Sequence, residues 1–366
     1  MRLHPCQYLA VYLIGSVLAC FHFARGVEPA EPPPPRARVV RATDAGAIRL
    51  FTPDPERVRA LVDGALLQFT KTRDIGAAWK QLIRPTDRVG IKINSQPGVV
   101  ISTHACVVDA VVEGLALAGV PRKQILIFDR YEHNLKAAGY PLGTRHDEVS
   151  VLATTPGEGY DPNPSFDFPV LGMLIWGDLD FNKDGRRALL GDDLHGDDNQ
   201  TSTLSHFSRI ITRRVDKIIN IGVPLQDPAV GVMGCEWNVT FSLIDNFRRL
   251  QRPGFARDDS ITKLFASPII QKKCVIHILD ALLVQYAGEQ NFDPNFCWAV
   301  RSVYVSNDAI ALDALALKLI NQRRSMEKLE PIHEDGCLEN AAQAGLGVNE
   351  LSRIDEEEAA APPSGK

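Results

Sequence analysis

The sequence predicts an α/β fold in which a mostly parallel sheet is layered with helices. Three observations predict it. Helix and strand patterns alternate along most of a 366-residue chain that is 45% hydrophobic and 23% charged, the balance of a globular body with a sizeable core. The strand segments are apolar at consecutive positions, as in a sheet covered on both faces. Strand, helix and strand follow one another within about forty residues, the signature of a right-handed βαβ crossover.

The elements follow in order. Met1-Arg2-Leu3-His4, an apolar run from about Tyr8 to Phe23 and Ala24-Arg25-Gly26 form a basic start, an apolar centre and small residues before a cut after Gly26, so residues 1–26 read as a Sec-type export signal. An uncleaved anchor, or a lipoprotein signal in which Val17-Leu18-Ala19 precedes Cys20, are the alternatives, and they are the only membrane attachments expected. Residues 27–45, with Pro32 to Pro35, read as a stiff linker. Asp54-Pro55-Glu56 supplies an N-cap and a proline at the first helical position, opening a helix with Val58, Leu61, Val62, Ala65 and Leu66 on one face. Arg88 to Asn94 is a strand. Ser102 or Thr103 is expected to cap the next helix, which ends at Gly119 before Pro121, and Gln124 to Asp129 is the following strand.

A Gly/Asp/Pro-rich insertion over 157–198 then separates two expected subdomains, about 46–156 and 199–350, of one α/β region spanning 46–350. In the second, Lys217 to Ile221, Lys273 to Asp280 and Val300 to Val305 are strands, and Asp308 caps a helix running to about Arg323. Residues 351–366, with Asp355-Glu356-Glu357-Glu358, read as a disordered acidic tail.

Charge and cysteine usage narrow the function classes. A formal charge of −5 with no Lys/Arg block gives nucleic acid no electrostatic footprint. Beyond residue 26 stand Cys106, Cys235, Cys274, Cys297 and Cys337, with no C-x-x-C pair, so neither structural zinc nor an iron–sulfur cluster is expected. The phosphate-cradling glycine motifs and the G-x-S-x-G of serine hydrolases do not occur.

In open parallel sheets ligands bind at the carboxyl ends of the strands. The residues there are Lys92 and Asn94, then Thr103 and His104, then Asp129, Asp280 and Asp308. Lys92 lies within an apolar strand, where a lysine must snorkel out or meet an anion. Lys92, Asn94, Thr103, Asp129 and Asp308 are the expected ligand-binding residues. His104 and Asp280 are the candidates for acid–base work, provided that they come within hydrogen-bond reach of the ligand. Separately, Asp178, Asp180, Asn182 and Asp184 place alternating oxygens before Gly185, as a calcium loop requires, although Gly191 stands where an EF-hand has Glu. Seven Asp against three basic residues over 178–198 favour a solvated acidic loop instead.

Val89 to Asn94, Ser102-Thr-His104, Ile125 to Asp129, Ala138-Gly-Tyr140, Ile219 to Pro224, Ile278 to Leu282, Ser306 to Asp313 and Ala344 to Gly347 together resemble the family called domain of unknown function 362. The resemblance runs from about Asp87 to Val348. It implies an α/β domain without an established general activity, sometimes joined to iron–sulfur modules of which this chain has no trace. Gln226-Asp227-Pro228 and Asp245-Asn246 stand where the family usually carries two lysines and a histidine, which removes positive charge from that region. The expected function is therefore an exported α/β protein that binds a small polar or anionic ligand in the strand-end crevice, as an enzyme or a degenerate enzyme. The alternative is a non-catalytic cell-envelope module with a calcium-binding acidic loop.

Overall fold

The computed structural model describes residues 35–173, 201–227, 231–251, 255–288, 292–333 and 336–359. The strands are β1 (Ala37–Thr43), β2 (Ile48–Arg49), β3 (Thr52–Pro53), β4 (Val89–Ile93), β5 (Ile125–Tyr131), β6 (Gly143–Thr144), β7 (Ser150–Thr155), β8 (Tyr160–Met173), β9 (Thr201–Ser208), β10 (Lys217–Gly222), β11 (Leu225–Asp227), β12 (Gly231–Met233), β13 (Cys274–Gln285), β14 (Cys297–Ser306) and β15 (Ile354–Glu358). The helices are α1 (Pro55–Thr70), α2 (Ile75–Lys80), α3 (Ala105–Leu117), α4 (Glu132–Ala137), α5 (Cys235–Asn238), α6 (Phe255–Phe265), α7 (Pro268–Gln271), α8 (Ala309–Met326) and α9 (Cys337–Gln343).

The fold is α/β, as expected. One sheet carries its strands in the order β15-β1-β14-β13-β10-β4-β5-β7-β6, and the run from β13 to β7 is parallel. Strand alternation divides the core in two. Val89, Ile91 and Ile93 of β4, with Ile125, Ile127, Ile219, Ile221, Ile276 and Ile278, meet α1 and α3 on one face. Leu126, Phe128, Ile218 and Leu279 meet α6, α8 and α9 on the other. α1 begins as read: Asp54 accepts from the Glu56 and Arg57 N–H groups, Pro55 opens the helix, and the apolar stripe is buried.

Four expectations are corrected. The two subdomains do not exist as separate units, because β4 pairs with β10 in parallel register from Val89↔Lys217 to Ile93↔Ile221 and joins both halves in one sheet. The linker ends earlier than residue 45: β1 lies inside the sheet between β14 and β15, and Val39, Val40 and Ala42 are buried. The insertion begins with a strand, since β8 pairs antiparallel with β9; residues 174–200, with the expected calcium ligands Asp178, Asp180, Asn182 and Asp184, lie outside the described residues. Residues 1–34, with the expected signal, also lie outside them.

The acidic tail is the fourth correction. Ile354–Glu358 is an edge strand parallel to β1, with Ile354 and Ala359 buried at its ends. Each carboxylate finds an arginine: Arg36 pairs with Asp355, Arg38 with Glu357 at 2.7 Å, and Arg41 with Glu356 and Glu358 at 3.1 and 2.5 Å. Exposed pairs contribute only about 0.2–1 kcal/mol each. The backbone ladder and the two apolar anchors therefore matter more than the charges, and composition alone misread the segment. Deleting residues 354–366 should lower the urea midpoint, because it uncovers the β1 backbone; an unchanged midpoint would mean that β15 does not form in solution.

Candidate functional site

The pleat places Lys92, Asn220, His277 and Ser306 directly opposite one another on four adjacent strands. A polar row thus crosses the sheet on the face shared with Phe128 and Leu279. Buried polar groups need partners, and for Lys92 and Asn220 α5 supplies them. It can do so because two glycines meet there: a Cβ on Gly222 would lie 2.9 Å from the Gly234 carbonyl carbon. The close approach carries Asn238 over the row. Its Oδ1 accepts from Lys92 at 2.8 Å, and its Nδ2 donates to Asn220 Oδ1 at 2.8 Å. Asn220 in turn donates to the Cys235 carbonyl and to His277 Nδ1, both at 2.8 Å. Asp313 of α8 fixes α5 by accepting from the Cys235 and Glu236 N–H groups; burial raises this carboxyl to about 7.

The anion that Lys92 meets is internal, the carboxylate of Asp129, and not a ligand. Lys92 is fully buried, and its three N–H bonds go to Ile93 O at 2.6 Å, Asp129 Oδ1 at 2.7 Å and Asn238 Oδ1. Its expected ligand-binding role is corrected on this geometry, since no donor remains. Asp129 also accepts from the Ser95 N–H and hydroxyl at 2.9 and 2.5 Å. Burial pushes the Lys92 ammonium down and the Asp129 carboxyl up. Lys92 and Ser95 outweigh that burial at Asp129, whose pKa lies below its ordinary value.

Above this pair, at the carboxyl ends of β4 and β5, is a pocket of about 50 Å³. Asn94 and Asp129, two of the expected residues, line it. Arg130, Tyr131, Asn134, Trp237, Asn238, Phe241, Phe247 and Gln251 complete most of the wall. Asn134 and Gln251 make no side-chain hydrogen bond among the described residues, so their carboxamides are available. Trp237 and Phe241 meet edge to face, with ring centroids 4.9 Å apart.

The other expected residues lie elsewhere. Thr103 is buried and caps nothing: its hydroxyl accepts from the Asn94 N–H at 2.9 Å and donates to the Ile221 carbonyl at 3.0 Å, tying the end of β4 to β10. His104 occupies the N-cap of α3 without a side-chain cap bond. It stands against Asp280, the other acid–base candidate, whose Oδ2 accepts from the His104 backbone N–H at 2.8 Å and lies 2.9 Å from Nδ1. The pair is buried and neither residue lines the pocket. The condition for acid–base work at that pocket is not met. Asp308 is at the opposite end of the sheet. β14 runs antiparallel to β13, with Ser306 beside His277 and Val303 beside Asp280, so the end of β14 lies toward the start of β13. There Asp308 caps α8 through the Ala311 N–H and accepts from the Val348 N–H. It borders a different cavity of about 600 Å³ with Asn307, Arg36, Arg38 and Arg353.

Sequence reading missed Arg130, Asn134, Trp237, Asn238 and Gln251. β5 runs two residues past the expected end at Asp129, through Arg130 to Tyr131, and a basic residue directly after an apolar run was the available signal. Asn238 is 146 positions from Lys92, and nothing local announces it. Asp245 and Asn246 serve β9: Asp245 accepts from the His206 N–H, and Asn246 donates to the Ser202 and Leu204 carbonyls.

Among the described residues no cluster of His, Cys, Asp and Glu is arranged to hold a metal ion, and no helix is long and apolar enough to cross a membrane. No family model, curated protein or solved structure matches the chain.

Two buried histidines titrate in opposite senses. Burial opposes charge on His104, but Asp280 and the Val100 carbonyl outweigh it and raise its pKa above 6.5. Its proton therefore stabilises the fold below pH 6.5, and that contribution is lost as the pH rises through the raised value. Burial lowers His277 from 6.5 to about 4, so its contribution is present above pH 6.5 and is lost as the pH falls toward 4. In urea melts across pH, His104→Gln should cost most at acidic pH. His277→Gln should gain on the unmodified protein as pH falls, by up to about 3 kcal/mol. Parallel pH profiles for the three proteins would refute these assignments.

Proposed function

We propose that the protein binds a small polar ligand in the pocket at the carboxyl ends of β4 and β5. One observation carries the reading. The free carboxamides of Asn134 and Gln251 stand beside aromatic walls, over a floor whose Asp129 and Asn238 are already locked by Lys92. A floor held in this way changes little when a ligand arrives, which limits the ordering cost of binding. Polar groups convergent on a concave site at strand ends form the arrangement expected of a ligand crevice in a parallel sheet. The motif order resembling the unknown-function 362 family supports the same location, because Asn94 and Asp129 belong to those motifs. The small volume points to a compact molecule, or to one end of a larger one. Binding is the proposed activity; the buried His104–Asp280 pair gives no chemistry to this pocket.

A thermal-shift screen of small polar metabolites should find compounds that raise the melting temperature of the protein. Gln251→Leu and Asn134→Leu should each weaken the same compounds several-fold while leaving the unliganded melt within about a degree, since neither carboxamide is used in the fold. Hits unaffected by both substitutions would place the binding elsewhere and defeat the proposal.

We also propose export from the cytoplasm, on the strength of the basic, apolar and small-residue order of residues 1–26. Terminal sequencing of protein from fractionated cells should find a new start near residue 27. Full-length chain confined to the cytoplasm would count against it.

A further inference from the structure

We infer that the ligand of this pocket carries a carboxylate, and that Arg130 is its counter-charge. The inference rests on the pocket proposed above and gives the chemical class of what enters it. Arg130 lines the pocket and is only 5% exposed. A buried guanidinium remains charged and normally faces a carboxylate. Among the described residues no ion pair joins Arg130 to one. Asp129, its neighbour in sequence, gives Oδ1 to Lys92 and to the Arg130 backbone N–H, and Oδ2 to Ser95. Asp245, whose charge reaches Tyr160 as that of Arg130 does, is turned to the N–H and Nδ1 of His206 and does not line the pocket.

The side chain of Arg130 is held without being neutralised. Nη2 donates to the carbonyls of Phe241 and Ile244, and Nε has no acceptor among the described residues. The guanidinium carbon lies 3.6 Å from the centroid of the Phe247 ring and 5.5 Å from that of Tyr131. Aromatic faces and carbonyl dipoles steady the cation but leave its charge uncancelled. Lys92 and Arg130 against Asp129 leave one positive charge at the pocket floor, the complement of a single monoanion. The pocket is small, about 50 Å³, and a planar monoanionic carboxylate matches one guanidinium better than a dianionic phosphate ester does. Asn134 and Gln251 add neutral N–H donors at the rim, and the rest of the acid would extend past them.

The test compares acetate and glycolate with acetamide, the neutral isostere of acetate, at constant ionic strength in chloride-free buffer. Calorimetry and the fluorescence of Trp237, assigned with Trp237→Phe, are the readouts. The acids should bind at least tenfold more tightly than acetamide, and Arg130→Met should bring that ratio close to one. Arg130→Lys, which keeps the charge, should retain a preference for the acids. If Arg130→Met does not fold, the ratio measured on the unmodified protein decides alone. Acetamide binding as tightly as acetate would overturn the carboxylate inference and leave the pocket standing. No binding of either compound and no Trp237 response would overturn both.

Discussion

The buried contact between Lys92 and Asp129 is the constraint on which the centre of the molecule depends. A fully buried lysine in the middle of a sheet must place three N–H bonds on oxygens or lose its charge. The fold answers with one carboxylate from the adjacent strand, one carboxamide from α5 and one backbone carbonyl. Each acceptor is fixed in turn: Asp129 by Ser95, Asn238 by Asn220, and Asn220 by His277. Breaking such a pair by removing one partner typically costs about 3–5 kcal/mol, because the remaining charge is stranded. The network therefore specifies how α5 sits on the sheet, and α5 carries a wall of the pocket.

A division of labour follows among the charged groups of this region. Lys92 and Asp129 cancel each other and act as scaffold, while Arg130, the next residue along β5, faces the pocket with its charge intact. The His104–Asp280 pair likewise acts within the fold, since it joins the start of α3 to β13 beneath the surface. Proximity in sequence is a poor guide to role here: Asp129 and Arg130 are neighbours with opposite assignments.

Local signals made much of the fold legible. The caps at Asp54 and Asp308 and the apolar runs of β4, β5, β10 and β13 were all readable, because each depends on residues within one turn or one strand. Direction was not legible. Nothing in Val300 to Val305 says that β14 runs against β13, and that single reversal moved Asp308 to the other end of the sheet. Acidity also misled at Asp355 to Glu358, where partners more than three hundred residues away turn an expected tail into a strand. Asn94 and Asp129 could be placed near the pocket they line because strand ends can be located from sequence. The role of Lys92 could not be, because whether a buried lysine meets a ligand or an internal carboxylate depends on a helix folded onto it from elsewhere.

The pairing of β1 with β15 bears on how the chain is made. More than three hundred residues separate these strands, so β1 and the arginines Arg36, Arg38 and Arg41 wait until all of those residues are made before their final neighbour exists. Contacts between such distant segments form slowly. Until β15 arrives, β1 presents an unpaired backbone edge, the template on which a second chain can add itself. The arginines that later hold the acidic strand repel a second copy of β1 in the interval, so one set of side chains guards the edge before it serves to close it.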